Sequence, residues 1–175
     1  MPERPGSSAR LSSFAPIAAA DARILILGSM PGVVSLRAGQ YYAHPYNLFW
    51  PFMGELFDAG PARPYADRVE RLKACGVAVW DVLQHCERPG SLDSAILRHS
   101  EVPNDFRGFF ATHPQLRVIA TNGGKAHEAL RRHLLATDGV PGDVTVLALP
   151  STSPANASQS PALKLARWRG LLDYS

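Results

Sequence analysis

The stretch ARILILGSMPG, residues 22–32, runs four consecutive Ile and Leu side chains straight into a turn built on glycine and proline. A short unbroken apolar run bounded by such a turn suits a strand covered on both faces, as in a parallel sheet flanked by helices. Three further runs of this kind follow at 77–80, 118–120 and 144–149. Between them, segments 48–57, 66–74 and 125–135 carry helical periodicity or alternating charge, and 162–172 closes the chain. Strands alternating with helices predict an α/β domain with a mainly parallel four-stranded sheet, its right-handed crossovers placing helices on both faces.

The chain has 175 residues, 46% of them hydrophobic, which is enough for one well-buried core. One domain over 13–175 is expected, preceded by a loose tail over 1–12, MPERPGSSARLS, where Pro, Gly, Ser and charge mix without apolar periodicity. The tail has no apolar h-region of a signal peptide. The apolar segment IAAADARILILG is broken by Asp21 and Arg23 and is too short to span a membrane. A cytoplasmic protein is therefore expected, nucleoid-associated if bacterial. No heptad repeat demands self-association, so a monomer is expected.

A net charge of +3 is compatible with a polyanionic partner without requiring one. Arg131 and Arg132, and again Lys164, Arg167 and Arg169, read as solvated helix faces. Cys75 and Cys86 have no CxxC neighbour and read as reduced thiols. The six histidines show no HxxxH or HxH spacing, which argues against a metal. No GxSxG elbow supports acyl chemistry.

In an open parallel sheet, ligands bind beyond the carboxyl ends of the strands, so the residues after each apolar run carry the functional reading. After the first run, GSMPG supplies Gly28, Ser29 and Met30 in a sharp turn whose N–H groups can face an anion or a carbonyl; it is neither a Walker loop nor GxGxxG. Asp81 follows the second run. Its structural reading is a turn cap or a pair with Arg88; its functional reading is an acceptor for a ligand N–H. TNGG follows the third run, and PSTSPANAS the fourth, offering hydroxyls and backbone N–H groups of the kind that contact phosphates. Between the first two runs, GQYYAHPYNLFWPFM concentrates aromatic and polar side chains at 39–53. Asn47 there is an N-cap candidate for the helix that follows, compatible with a second role holding a water at a pocket rim. Asp93, in SLDSAILRH, reads as a helix cap.

GSMPG, GQYYAHPYNLFW, WDVL and LPSTSPANAS, in that order, resemble the uracil-DNA glycosylase superfamily, and within it the hypoxanthine-DNA (deoxyinosine) glycosylase branch. The resemblance implies a three-layer α/β/α fold, no cofactor, and hydrolysis of the N-glycosidic bond of a deaminated base flipped out of DNA. It assigns Asn47 as catalytic and Tyr42 as the aromatic on which the base stacks, with Gly28, Ser29, Met30, Phe49 and Asp81 around the base. Ser151, Thr152, Ser153 and Asn156 fall in the segment that contacts DNA. One departure stands out: mismatch-specific relatives hold a water-positioning Asn where this chain has Met30. Two alternatives remain at this point, a damage-binding module with little catalysis, favoured by Met30, and a hydrolase of free nucleosides or nucleotides. Lyase chemistry would need a lysine in the pocket, for which Lys125 is the nearest candidate.

Overall fold

The computed structural model describes residues 9–175. In chain order its first elements are β1 (Arg10–Ser12), β2 (Ile24–Gly28), α1 (Val33–Ala38), α2 (Phe49–Phe57), α3 (Tyr65–Ala74), β3 (Val77–Asp81) and β4 (Leu83–Glu87). They are followed by β5 (Val102–Pro103), α4 (Phe106–Thr112), β6 (Val118–Asn122), α5 (Gly124–His133), β7 (Thr145–Leu149) and α6 (Pro161–Trp168). Short 3-10 turns occur at Asp93–Ala95, Arg98–Ser100, Leu135–Thr137 and Arg169–Tyr174.

The main sheet has the order β3-β2-β6-β7, and all three of its pairings are parallel. Every residue of β2, β3 and β6 is buried, and because side chains alternate between two covered faces their sequences are apolar up to the polar carboxyl ends, Asp81 in β3 and Thr121 and Asn122 in β6. Ile24, Ile26, Val77, Val79, Val118 and Ala120 point to one face, where they pack on Phe49, Phe52, Met53, Leu72 and Trp168 of α2, α3 and α6. Leu25, Leu27, Ala78, Trp80 and Ile119 point to the other, against Phe106, Phe109, Ala129 and Leu130 of α4 and α5. The result is the three-layer α/β/α arrangement expected. Cys75 packs with the first core and Cys86 lies in the second, so the sheet separates the two thiols.

A second, three-stranded antiparallel sheet, β1-β4-β5, was not anticipated. Its existence shortens the expected tail: Arg10, Leu11 and Ser12 pair with Glu87, Cys86 and His85, so these tail residues are a strand, while residues 1–8 lie outside those described. Among the described residues, no helix is long and apolar enough to cross a membrane.

Parallel register brings the ends of the strands level. Gly28 pairs with Asp81, and Asn122 with Leu149. The turns that follow these residues therefore open together at one rim of the sheet.

Candidate active site

At that rim lies a cavity of about 550 Å³. Its floor is organised around Gly28. A Cβ there would stand 2.6 Å from Asp81 Oδ1 and 2.9 Å from Tyr42 Oη, so only glycine lets the carboxyl and the phenol converge over the end of β2. Asp81 Oδ2 and Tyr42 Oη are both buried and make no hydrogen bond among the described residues. Buried polar groups are almost always paired, and two orphans side by side in a cavity point to a ligand that supplies the missing partners. The Asp81 main-chain carbonyl is satisfied by Asn104 Nδ2 at 2.8 Å.

Burial pushes the Asp81 carboxyl up to about 8, the nearby charge of Asp93 adds to this, and Arg88 opposes it. At neutral pH the group is mostly the neutral acid, a donor as well as an acceptor, which revises the acceptor-only expectation. The alternative pair with Arg88 does not form. That guanidinium is itself buried and donates to the carbonyls of Pro31 (2.8 Å), Gly90 (2.8 Å) and Met30 (3.5 Å), pinning the glycine turn.

Tyr42 adopts φ 52°, in the left-handed region that a bulky residue enters only when its surroundings impose it. Its ring stacks on Phe49 with centroids 4.0 Å apart and planes at 21°. Phe49 is fully buried behind Tyr42 and does not line the cavity, which corrects its assignment to the base: Tyr42 shields it. Burial raises the Tyr42 phenol well above its ordinary range, with the Asp81 charge next and the nearby Asn122 amide acting the other way, so the hydroxyl keeps its proton.

Asn47 lines the cavity beside His44. It is not the residue that caps α2, since Leu48 occupies that position, but its Oδ1 accepts the Phe49 N–H at 2.9 Å and thereby serves the first turn. Because the partner is an N–H, the oxygen is identified without ambiguity. One of its lone pairs is held by the helix and the other remains for a water proton. Pro51 falls in the same first turn, where its missing N–H does no harm.

The adjoining wall is the segment 151–156, whose Thr152 carbonyl accepts the Leu48 N–H at 3.0 Å. Thr152 is fully buried: its N–H donates to Asn122 Oδ1 at 3.0 Å, and its hydroxyl accepts from Asn122 Nδ2 at 2.9 Å. It anchors the segment, a correction to its assignment as a DNA contact, and leaves Ser151, Ser153 and Asn156 for that role. Lys164, expected on a solvated face, is 2% exposed and donates to the carbonyls of Ser151 at 2.8 Å and Asn156 at 2.5 Å. Lys164→Met leaves those two carbonyls without their donor. Amide exchange across 151–156, followed by mass spectrometry, is expected to quicken about tenfold or more; unchanged protection would show that the lysine does not hold the segment.

Met30 is 5% exposed and its side chain packs in the second core, so it contributes backbone to the cavity. Asp93 does not cap a helix. It opens a short 3-10 turn and accepts the Ser29 hydroxyl at 2.7 Å, which brings it to the cavity from 64 residues away. Lys125 also lines the cavity, but its ammonium is held by Glu101 at 2.5 Å and Glu128 at 3.1 Å, and an ion-paired ammonium is no nucleophile for a Schiff base. The sequence places Asn122 in the TNGG segment at a strand end without giving it a role, and it marks Asp93 as structural; nothing in it signals that residues 91–94 reach the cavity.

The family model described as the Uracil DNA glycosylase superfamily matches residues 15–172. The chain belongs to this superfamily. Two curated members are similar to it, each named Hypoxanthine DNA glycosylase. The one from Methanosarcina acetivorans is 40% identical over 76% of this chain and 80% of its own length. The one from Methanosarcina barkeri is 37% identical over 66% of this chain and 72% of its own. A solution NMR structure from Methanosarcina acetivorans, named as a candidate uracil DNA glycosylase, superposes with a TM-score of 0.77 at 32% identity, covering 94% of this chain and 97% of that one. Sequence and fold thus place the superfamily's domain over nearly all of the described residues.

Proposed function

We infer that this chain is a DNA N-glycosylase that hydrolyses the glycosidic bond of a deaminated base, and that the base it prefers is hypoxanthine flipped from duplex DNA by a monomeric enzyme. The observation that carries the reading is the convergence of Asn47, Tyr42 and Asp81 on one cavity whose floor holds two unpartnered polar atoms. The similarity to proteins named for hypoxanthine supports the choice of base.

The chemistry follows from the groups present. As the glycosidic bond lengthens, the sugar gains oxocarbenium character and the base gains negative charge. The base stacks on the exposed face of Tyr42, an interaction worth about 1–3 kcal/mol. The neutral Asp81 acid sets a donor beside an acceptor, matching the C=O and N–H of the lactam edge that hypoxanthine presents. The donor strengthens as charge builds on the lactam oxygen, in the manner of an oxyanion hole. Asn47 holds the water on the sugar side. An amide is too weak a base to deprotonate that water early, which suits a path in which bond breaking leads. Adenine in a proper pair is withheld upstream, because extrusion costs least for a mispaired base.

Oligonucleotides carrying hypoxanthine, xanthine or uracil, each in duplex and single-stranded form, test the reading by chromatography of the released base. Hypoxanthine is expected to leave fastest from the duplex. Turnover of free deoxyinosine at a comparable rate would move the assignment to a nucleoside hydrolase. Tight binding of the damaged duplex with no base released in a single turnover would make the chain a damage-binding module.

A further inference from the structure

Among the described residues, Tyr42 is one of three non-glycine positions with a left-handed backbone. The other two, Asp58 and Asp138, close a helix and a 3-10 turn, where an aspartate tolerates that geometry. Tyr42 closes no helix, so something else holds it there. The two soft dihedrals of a residue lie between two rigid peptide planes, and fixing both planes fixes the residue. At Tyr42 each plane is held by one buried side chain. The Trp50 indole N–H donates to the Tyr41 carbonyl at 2.8 Å, which holds the plane before Tyr42. The Ser35 hydroxyl oxygen accepts the Ala43 N–H at 3.0 Å, which holds the plane after it. Both anchors are themselves fixed. The indole stands at near-right angles to the rings of Phe49 and Tyr65 and is covered by the Arg68 guanidinium at 4.7 Å. The Ser35 carbonyl takes the N–H groups of Gly39 and Gln40. Forcing an L side chain into the left-handed region costs about as much as one net hydrogen bond stabilises, so loss of either anchor is enough to release Tyr42.

We propose that Ser35 and Trp50 are positioning residues for base binding: together they clamp Tyr42 in its left-handed backbone and so aim its ring across the cavity floor, a role that rests on the DNA glycosylase reading above. Trp50 does not line the cavity, so its route to the base runs through Tyr42. Ser35 does line it, but its hydroxyl oxygen is engaged by Ala43. The stacking face is thereby set before the base arrives, and ordering the ring costs little at the moment of binding.

The test follows single-turnover release of hypoxanthine from a duplex over a range of enzyme concentrations, for wild type, Ser35→Ala, Trp50→Phe, Tyr42→Ala and the doubles that combine each clamp variant with Tyr42→Ala. Stacking holds the base in ground and transition states alike, so each clamp variant is expected to raise the half-saturating enzyme concentration about tenfold and to change the maximal rate less than about threefold. In the Tyr42→Ala background the same substitutions should change neither. Equal losses with and without the Tyr42 ring would show that Ser35 and Trp50 act by another route, and would overturn the proposal. A second readout needs no catalysis: the Tyr42 Cα and Cβ chemical shifts, which report backbone conformation, should leave the left-handed range in both clamp variants. Shifts unchanged in either variant would overturn the proposal even where release slows. A wild type that releases no base, with the Tyr42 shifts moving as expected and affinity for the hypoxanthine duplex following the same cycle, would sink the glycosylase reading and uphold the clamp. Wild-type release with clamp variants indistinguishable from it would do the reverse.

Discussion

Asn47→Ala is expected to slow single-turnover release of hypoxanthine by about a hundred- to a thousandfold, the range found when one preorganised hydrogen-bonding group is removed from a reacting centre. Binding of a duplex with an abasic site should change far less, because Asn47→Ala leaves the Tyr42 ring and the 151–156 segment in the cavity lining. The side chain also accepts the Phe49 N–H, so part of any loss could come from a frayed α2. Asn47→Asp keeps both functions, since a carboxylate accepts the N–H and still orients a water, and far-ultraviolet circular dichroism of Asn47→Ala reports any fraying of α2. Asn47→Asp retaining well over a tenth of the wild-type rate, with alanine at the bottom, is the expected pattern. Equal rates in wild type and Asn47→Ala, measured by rapid quench, would remove Asn47 from the mechanism.

The second large effect concerns Asp81 and pH. With the carboxyl raised from its ordinary 3.8 to about 8 by burial, the neutral acid is the form present at pH 7 and is lost as the pH rises through about 8. If the neutral form reads the lactam, the rate of base release should hold level up to about pH 7 and then decline. Asp81→Asn replaces the acid with a neutral group that both donates and accepts; it should stay within about tenfold of wild type near pH 7 and lose the part of the decline that belongs to the enzyme. Any titration of the substrate itself persists in that variant, which makes the comparison clean. Asp81→Ala should lower kcat/KM by about a hundredfold or more, because a site built to hydrogen-bond its substrate fails badly when the partner goes missing. A profile identical in wild type and Asp81→Asn would show that protonation of Asp81 plays no part.

The same group has a signature in stability, with its sign fixed by linkage. The folded value lies above the unfolded one, so its stabilising contribution is full below about 3.8 and is lost progressively as the pH rises to about 8. Asp81→Asn carries no charge to bury. Relative to wild type it should gain about 1–3 kcal/mol by pH 9 in denaturant unfolding.

The main sheet was legible because its strands are covered on both faces, which writes Ile24 to Leu27 and Val77 to Trp80 as unbroken apolar runs. The strand-end rule then led directly to Gly28, Asp81 and the 151–156 segment. The small sheet was not legible. β4 is the mixed sequence LQHCE, with two buried positions among five, and its partners come from residues 10–12 and 102–103. Nothing local announces such pairing. The misreadings at the site share that cause. Asp93 looks like a cap until Ser29, distant in sequence, is seen beside it, and Lys164 looks solvated until the 151–156 segment folds over it. Thr152 belongs with them, since a threonine in a serine-rich loop gives no sign that Asn122 has claimed both its groups. Tyr42 stood out in the sequence, but its left-handed backbone did not.

The absence of room for a side chain at position 28 constrains any attempt to retarget this enzyme. The floor of the pocket tolerates neither an added methyl at Gly28 nor an easy shift of its turn, which the Arg88 guanidinium holds from beneath. A designer seeking to reshape the cavity has more freedom at Gly124, where a would-be Cβ meets no atom within 4 Å, so a side chain added there would narrow the cavity against larger lesions. Variation in lesion preference among natural relatives should accumulate on that side, with the floor left alone.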